Sequence, residues 1–172
     1  MLDANTPTEL LQQQIACADI DMLFGDEDLV DELTDSLTKG LPEDERNRPG
    51  DVKMLFFTSG TTERSKAVVL TEQSFMASAW NGGALLPLSP SDRLLCLLPM
   101  AHVFGFVCGL LWGLSCGASV ALGRGPRHYA DDCAYFQPTA LSAVPLLWGF
   151  LLKYKALNPE LKLVLIGAGD CP

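Results

Sequence analysis

Between the apolar residues Phe56–Phe57 and the run AVVL at 67–70, the string TSGTTERSK gathers five hydroxyl side chains, one glycine and one lysine. Hydroxyls and backbone N–H groups are donors, and an anionic oxygen is what a dense cluster of donors would hold. Gly60 lets such an anion approach the backbone with no Cβ in the way. Lys66 adds a point charge, and charge-assisted hydrogen bonds are roughly twice as strong as neutral ones. The chemistry is that of a phosphate cradle; a solvated turn is the alternative that the same residue types allow. A Walker A loop, G-x-x-x-x-G-K-[ST], is excluded. From Gly60 the chain reads GTTERSKA, with Ser65 where the second glycine belongs and Ala67 where the magnesium-binding hydroxyl belongs. What remains is a hydroxyl design built from Thr58, Ser59, Gly60, Thr61, Thr62 and Lys66. Glu63 brings a negative charge into this loop and is expected to point outward, offset by Arg64.

The elements around the loop must position it. VKMLFFT reads as a strand entering the cluster, and TEQSFMASAWNGGALL as a helix with Thr71 as its N-cap. RLLCLLP and ASVAL read as short buried strands flanking FGFVCGLLWGLSCG, one helix with its small residues on one stripe. After the loop GRGPRHYADD, in which His128 and Tyr129 are expected at the surface, a short helical piece leads to the strand TALSAV. PLLWGFLLKYKAL is a helix opened by proline, and LKLVLIG a last continuous apolar strand. Towards the N-terminus, TELLQQQIACA is helical, IDMLF is a strand, and the acidic segment from Asp26 is a helix with a solvated face. Unbroken apolar strands separated by helices predict an α/β fold, a largely parallel sheet with helices on both faces. In such folds the loops beyond the carboxyl ends of the strands carry the site, and the hydroxyl cluster is expected at the end of a parallel strand. The chain stops at GAGDCP, directly after its last strand, which reads as an incomplete part of a larger domain. The expected organisation is an acidic α/β segment and linker over 1–50, leading into a partial α/β subdomain over 51–172 that carries the hydroxyl loop.

Charge excludes some partners. Residues 1–52 hold 14 Asp/Glu against 3 Lys/Arg, so −11, and residues 53–172 hold 7 against 9, so +2. An acidic front is the wrong surface for a phosphate backbone, and nucleic acid is not an expected partner. The stretch 94–123 contains no Asp, Glu, Lys or Arg and is long enough to span a bilayer. Its Gly105, Gly109, Gly113 and Gly117, four residues apart, resemble a membrane packing stripe. Pro99 and His102 divide it, however, and the strand–helix–strand parsing predicts no membrane span. The six cysteines lack a CxxC spacing, the start of the chain lacks a signal-peptide pattern, and no metal site is expected. Free thiols in the cytoplasm fit this best. Trp80, Trp112 and Trp148 fall at helical positions and are expected in the core.

FFTSGTTERSKAVVLT resembles the signature loop of the AMP-forming acyl-CoA synthetases and related adenylate-forming enzymes, whose usual form is TSGTTGxPKGV. LLCLLPMAHVFGF is similar to the family's LPLFHxxG segment, with Pro99, His102 and Gly105 in place. LSCGASVAL, FQPTALSAVPLLWGFLLK and LKLVLIGAGDCP resemble the segments that follow, and QQQIACADIDMLFGDEDL an earlier strand. The likeness covers nearly the whole chain in order. Glu63, Ser65 and Ala67 depart from the usual Gly, Pro and Gly, and LTEQSF replaces an LTHxN-type helix start. Serine and alanine at the latter two positions are similar to the long-chain fatty acyl-CoA synthetase branch.

The resemblance implies a parent enzyme that binds ATP with Mg2+ and a carboxylic acid, forms acyl-AMP, and passes the acyl group to coenzyme A or a carrier-protein thiol. A fatty acid is the implied substrate. Thr58, Ser59, Gly60, Thr61, Thr62 and Lys66 would hold the phosphates, with Lys66 on the β/γ-phosphates. His102 would shape or gate the acyl pocket. Gly167, Ala168 and Gly169 would form the near side of the adenine pocket. The family's C-terminal domain, with its adenylation lysine, is absent from these residues, so the 172-residue piece is expected to be inactive alone. A non-catalytic nucleotide-binding or interaction module derived from such an enzyme is the alternative. A dimer through exposed apolar faces is open to the fragment in either case.

Overall fold

Leu94 to Leu98 form an apolar run with no polar side chain to turn towards water, and burial on both faces is the arrangement that satisfies it. The computed structural model describes residues 2, 6–18, 33, 53–58 and 66–170. The chain divides into two units, Met1–Glu72 and Gln73–Pro172.

In the first unit helix α1, Thr8–Cys17, follows Pro7, whose carbonyl accepts from the N–H groups of Leu10 and Leu11. Its apolar stripe buries Leu11 and Ile15 against Leu33. Strands β1, Lys53–Phe57, and β2, Ala67–Thr71, pair antiparallel, with Phe57 opposite Ala67 and Lys53 opposite Thr71. This corrects the expectation of a parallel strand before the hydroxyl cluster. β2 begins ten positions after β1 ends, and a parallel neighbour would need a crossover of a dozen or more residues. Thr71 closes β2, and helix α2, Glu72–Leu85, begins directly after it. The strand expected at IDMLF and the acidic helix after it lie outside the described residues, Leu33 apart.

The second unit contains the parallel sheet. Its strands are β3, Arg93–Cys96; β4, Ser119–Leu122; β5, Ala140–Ala143; and β6, Leu163–Ile166. They lie in the order β4-β3-β5-β6, every pair parallel. Helix α3 covers 103–115, and helices α4, Tyr129–Phe136, and α5, Pro145–Lys153, follow β4 and β5. Alternation along the strands makes two cores. Leu95, Leu97, Leu141 and Ala143 pack with Cys133, Leu147 and Leu151 from α4 and α5. On the other face Leu94 and Ala140 pack with Leu88, Trp112 and Ala118. The α/β expectation is therefore met, with helices on both faces of a parallel sheet.

The glycine stripe serves close packing on the sheet. A Cβ at Gly113 would lie 2.6 Å from Val120 Cγ2 and 2.7 Å from Leu94 Cδ2, and one at Gly109 would collide with Cys96 Sγ. The stripe lets α3 lie directly on β3 and β4. Gly117 falls outside the helix, at φ 74°, where Ala118 N–H reaches back to the Gly113 carbonyl and closes the helix end. Among the described residues no helix is long and apolar enough to cross a membrane. Helix α3 is not uniform: Val107–Leu111 is a π-turn between the α-helical Val103–Phe106 and Trp112–Ser115.

Two surface assignments change. Trp80, expected in the core, is 61% exposed, whereas Trp112 is buried and donates its indole N–H to the Leu86 carbonyl at 3.1 Å. Tyr129, expected in a loop, opens α4, packs against the core and meets Phe150 edge-on. The preceding Pro126–His128 is a single 3-10 turn, and His128 is exposed.

At the amino ends of the strands Asp92 is 2% exposed and fully used. It accepts from Ser89 N–H, Ser89 Oγ and Thr139 Oγ, each at 2.8 Å, and pairs with Lys162 at 2.7 Å. The Lys162 ammonium, with the Thr139 and Ser89 donors, holds this carboxyl far below the usual carboxylate range, although burial opposes the shift. One side chain thus ties the entries of β3, β5 and β6 together.

Candidate functional site at the carboxyl ends of the strands

The sequence-predicted residues fall into two groups, one in each unit. In the first unit Thr58 and Lys66 face each other across the neck of the hydroxyl loop. Thr58 N–H donates to the Lys66 carbonyl at 3.0 Å, and the Thr58 hydroxyl lies 3.4 Å from Lys66 N and 3.5 Å from its carbonyl. Both residues are exposed. The antiparallel ladder therefore continues one step past β1 and holds the two ends of the loop together. Ser59, Gly60, Thr61 and Thr62, together with Glu63, Arg64 and Ser65, lie outside the described residues.

In the second unit the carboxyl ends of β3, β5 and β6 converge. Beyond β3 the chain turns through Pro99, whose carbonyl accepts from His102 N–H at 3.1 Å. His102 is extended and exposed, and stands at the N-cap of α3. Gly105 is required here: a Cβ would collide with the Pro99 carbonyl. Beyond β5, Val144 and Pro145 lead straight into α5, where proline suits the first helical position. Beyond β6, Gly167 N–H donates to the Ala143 carbonyl at 3.2 Å and extends the ladder. Ala168 then adopts φ 62°, a left-handed conformation that costs a non-glycine residue about 1–2 kcal/mol.

That turn throws the small-residue loop against two side chains the sequence did not single out. A Cβ on Gly167 would lie 3.0 Å from the Phe104 ring, and one on Gly169 3.4 Å from the Pro145 ring. His102, Phe104 and Gly167–Gly169 therefore belong to one end of one sheet. Phe104 lay within a segment already marked for His102, but nothing in its spacing shows that its ring reaches the far loop. Pro145 was legible only as a helix start.

The rest of this end is braced rather than reactive. Beyond β4, Asp132 accepts from Arg124 N–H at 2.8 Å and from Arg124 Nε at 2.7 Å. Burial and the neighbouring Asp132 push the Cys133 thiol up to about 11, and burial raises Cys96 and Cys108 as well. These three stay protonated near neutrality and are not thiolate nucleophiles. Among the described residues no group of three or more His, Cys, Asp or Glu is placed to hold a metal ion.

Comparison with known proteins bears on this arrangement. A family model described as AMP-binding enzyme matches residues 2–172. An oxalate–CoA ligase of Arabidopsis thaliana is 35% identical over 134 residues, covering 76% of this chain and 25% of the relative. A long-chain-fatty-acid–CoA ligase of Saccharomyces cerevisiae is 32% identical over 108 residues, covering 57% and 15%. Among solved structures, o-succinylbenzoate CoA synthetase from Bacillus subtilis, in complex with its acyl-adenylate intermediate, superposes with a TM-score of 0.74 at 22% identity. That match covers 98% of this chain and 48% of the other. The chain thus spans about a quarter or less of these curated relatives and about half of the structural neighbour.

Proposed function

We propose, from the premise that the chain belongs to the AMP-binding enzyme family, that it supplies the nucleotide-facing part of an ATP-dependent acid–thiol ligase. The observation that carries this reading is the convergence of His102, Phe104 and the Gly167–Gly169 loop at the carboxyl ends of a parallel sheet, where ligands of such folds bind.

The residues have separate parts. Gly167 and Gly169 offer a face without side chains, and a flat purine can approach such a face. Phe104 and Pro145 back that loop and keep its turn in place. Thr58, Lys66 and the hydroxyls between them receive the phosphates, with Lys66 on the β/γ pair. His102, exposed at the mouth of the sheet, borders the carboxylic acid. In the adenylation step a carboxylate oxygen bonds to the α-phosphorus and the bond to the pyrophosphate oxygen breaks, leaving acyl-AMP. Positioning and charge neutralisation dominate such displacements. The loop's donors and Lys66 act on the departing pyrophosphate, and magnesium is carried in with the nucleotide. A thiol, that of coenzyme A or of a carrier protein, then takes the acyl group and releases AMP. A fatty acid is the acid proposed, on the strength of Ser65 and Ala67, and the free described thiols favour a reducing compartment such as the cytoplasm.

Nucleotide binding to the 172-residue chain tests the reading. ATP and AMP should both bind; Lys66→Ala should weaken ATP about tenfold, the loss of one charge-assisted contact, and leave AMP nearly unchanged. Gly167→Val should abolish both. ATP and AMP affinities that ignore both substitutions would overturn it. The chain by itself is expected to release no pyrophosphate on addition of ATP and acid. Acid-dependent release that disappears in Lys66→Ala would show instead that these residues suffice for catalysis.

A further inference from the structure

Cys96 on β3 and Ser142 on β5 are register partners in the parallel ladder, so their side chains share the face covered by α3. Both are buried, at 3% and 0% exposure. Ser142 Oγ donates to the Cys108 carbonyl at 2.7 Å. Cys96 Sγ lies 3.7 Å from the Gly105 carbonyl, with the Leu98 carbonyl at 3.6 Å and Met100 Sδ at 3.7 Å as further acceptors. Gly109 rests on the same sulfur with no room for a Cβ. Ser142 therefore donates to a carbonyl inside the part of the helix that departs from α geometry, while the Cys96 sulfur, shared between the Leu98 and Gly105 carbonyls, lies against the turn just before it.

That departure is a π-turn, closed by the bond from Trp112 N–H to the Val107 carbonyl five residues back. Such turns are rare, and they displace backbone carbonyls from the regular ladder. A buried carbonyl without a donor is costly, because it has lost water and gained no partner. On a sheet face otherwise built of Leu, Ala, Val and Cys96, the buried Ser142 hydroxyl is aimed at this carbonyl. The carboxyl half of α3 is pinned elsewhere, by the Trp112 indole on Leu86 and by Gly113 on Leu94 and Val120. If the π-turn relaxed to α, the shift would fall on residues 103–106. One residue of slip rotates them by about 100° relative to the pinned half. Phe104 would leave Gly167, and His102 would leave the mouth of the sheet.

We propose that Ser142 and Cys96 form the seat of this π-turn and act through it as positioning residues, setting where His102 and Phe104 stand against the Gly167 loop. The inference rests on the reading of that end of the sheet as the substrate-facing site, and the device itself can be tested without any ligand. The chain contains only two histidines, and His128 lies on a different element, in the turn before α4. Imidazole NMR of histidine-labelled protein therefore gives one reporter and one internal control. Ser142→Ala should move the His102 ring signals and abolish the Phe104–Gly167 nuclear Overhauser contact, with His128 unchanged. Ser142→Cys, which keeps a donor, and Cys96→Ser, which exchanges one donor for a stronger one, should retain both features. Should Ser142→Ala fail to fold, Cys96→Ala makes the same comparison. A lowered unfolding midpoint with His102 and the Phe104–Gly167 contact unmoved would overturn the proposal and leave Ser142 as packing alone. Titrating wild-type chain with AMP in the same spectra separates the two questions. No AMP response at Gly167 refutes the nucleotide reading, whereas the His102 response to Ser142→Ala decides the positioning device.

Discussion

Asp92 gives the most quantitative consequence of the fold. Replacing it with alanine removes the acceptor for Ser89 N–H, Ser89 Oγ and Thr139 Oγ at the entry to the sheet. Hydrogen bonds to a charged group are worth about 1.5–3 kcal/mol each. Thr139 is buried and loses its acceptor outright, while Ser89 is half-buried and regains part of its loss from water. Lys162 is 58% exposed and returns to solvent at little cost. The sum is about 3 kcal/mol, a large fraction of the 5–15 kcal/mol that stabilises a typical domain. With a urea slope of about 2 kcal/mol per molar, the midpoint should fall by roughly 1.5 M. Tryptophan fluorescence is the assay, because Trp80, Trp112 and Trp148 all belong to the Gln73–Pro172 unit. The same carboxyl sets an acid limb. Lys162 first, then Thr139 and Ser89, lower its folded value below the unfolded one. Its contribution is therefore complete above about pH 4, the ordinary aspartate range, and is lost as the pH falls below it. Wild type should lose stability more steeply than Asp92→Ala as the pH falls from about 4 towards 2. A loss under about 1 kcal/mol at pH 7, or identical acid slopes in the two proteins, would refute the assignment of Asp92 as the clasp.

Two glycines in helices should respond to alanine with opposite signs. At Gly113 the gain in helix propensity, about 1 kcal/mol, is outweighed by the clash with Val120 and Leu94, so Gly113→Ala should lose about 1–2 kcal/mol in the same urea assay. At Gly149 nothing lies within 4 Å of an added Cβ, and Gly149→Ala should gain close to the full 1 kcal/mol. Equal effects at the two positions would remove the close-packing account of α3. Ala168→Gly should stabilise by about 0.5 kcal/mol, because relief of the left-handed backbone exceeds the entropy that glycine adds to the unfolded chain. A clear loss on that substitution would mean that the alanine methyl, not the turn, holds the loop.

The sequence by itself determined what local chemistry can determine. Leu94–Leu98 and Leu163–Ile166 are unbroken apolar runs and Ala140–Ala143 is broken only by Ser142; each holds a parallel strand of the sheet that the helices cover. The glycine period at 105, 109 and 113 was legible as one stripe of one helix, and the close approach to β3 and β4 is the use the fold makes of it. The hydroxyl-rich loop and the order of segments along the chain were enough to name the family.

Tertiary structure decided what depends on distant partners. The reversal between β1 and β2 follows from the shortness of the segment between them, yet the apolar patterns of parallel and antiparallel strands look alike in a short run. Trp80 and Tyr129 exchanged their expected places because helical position alone does not say which face a neighbour will cover. The π-turn in α3 has no periodic signature. Its proposed seat, Cys96 and Ser142, 46 positions apart, forms only once β3 and β5 pair. Phe104 reaches Gly167 for the same reason: a contact across 63 positions is set by strand order and helix register, and neither is written in the residues on either side of it.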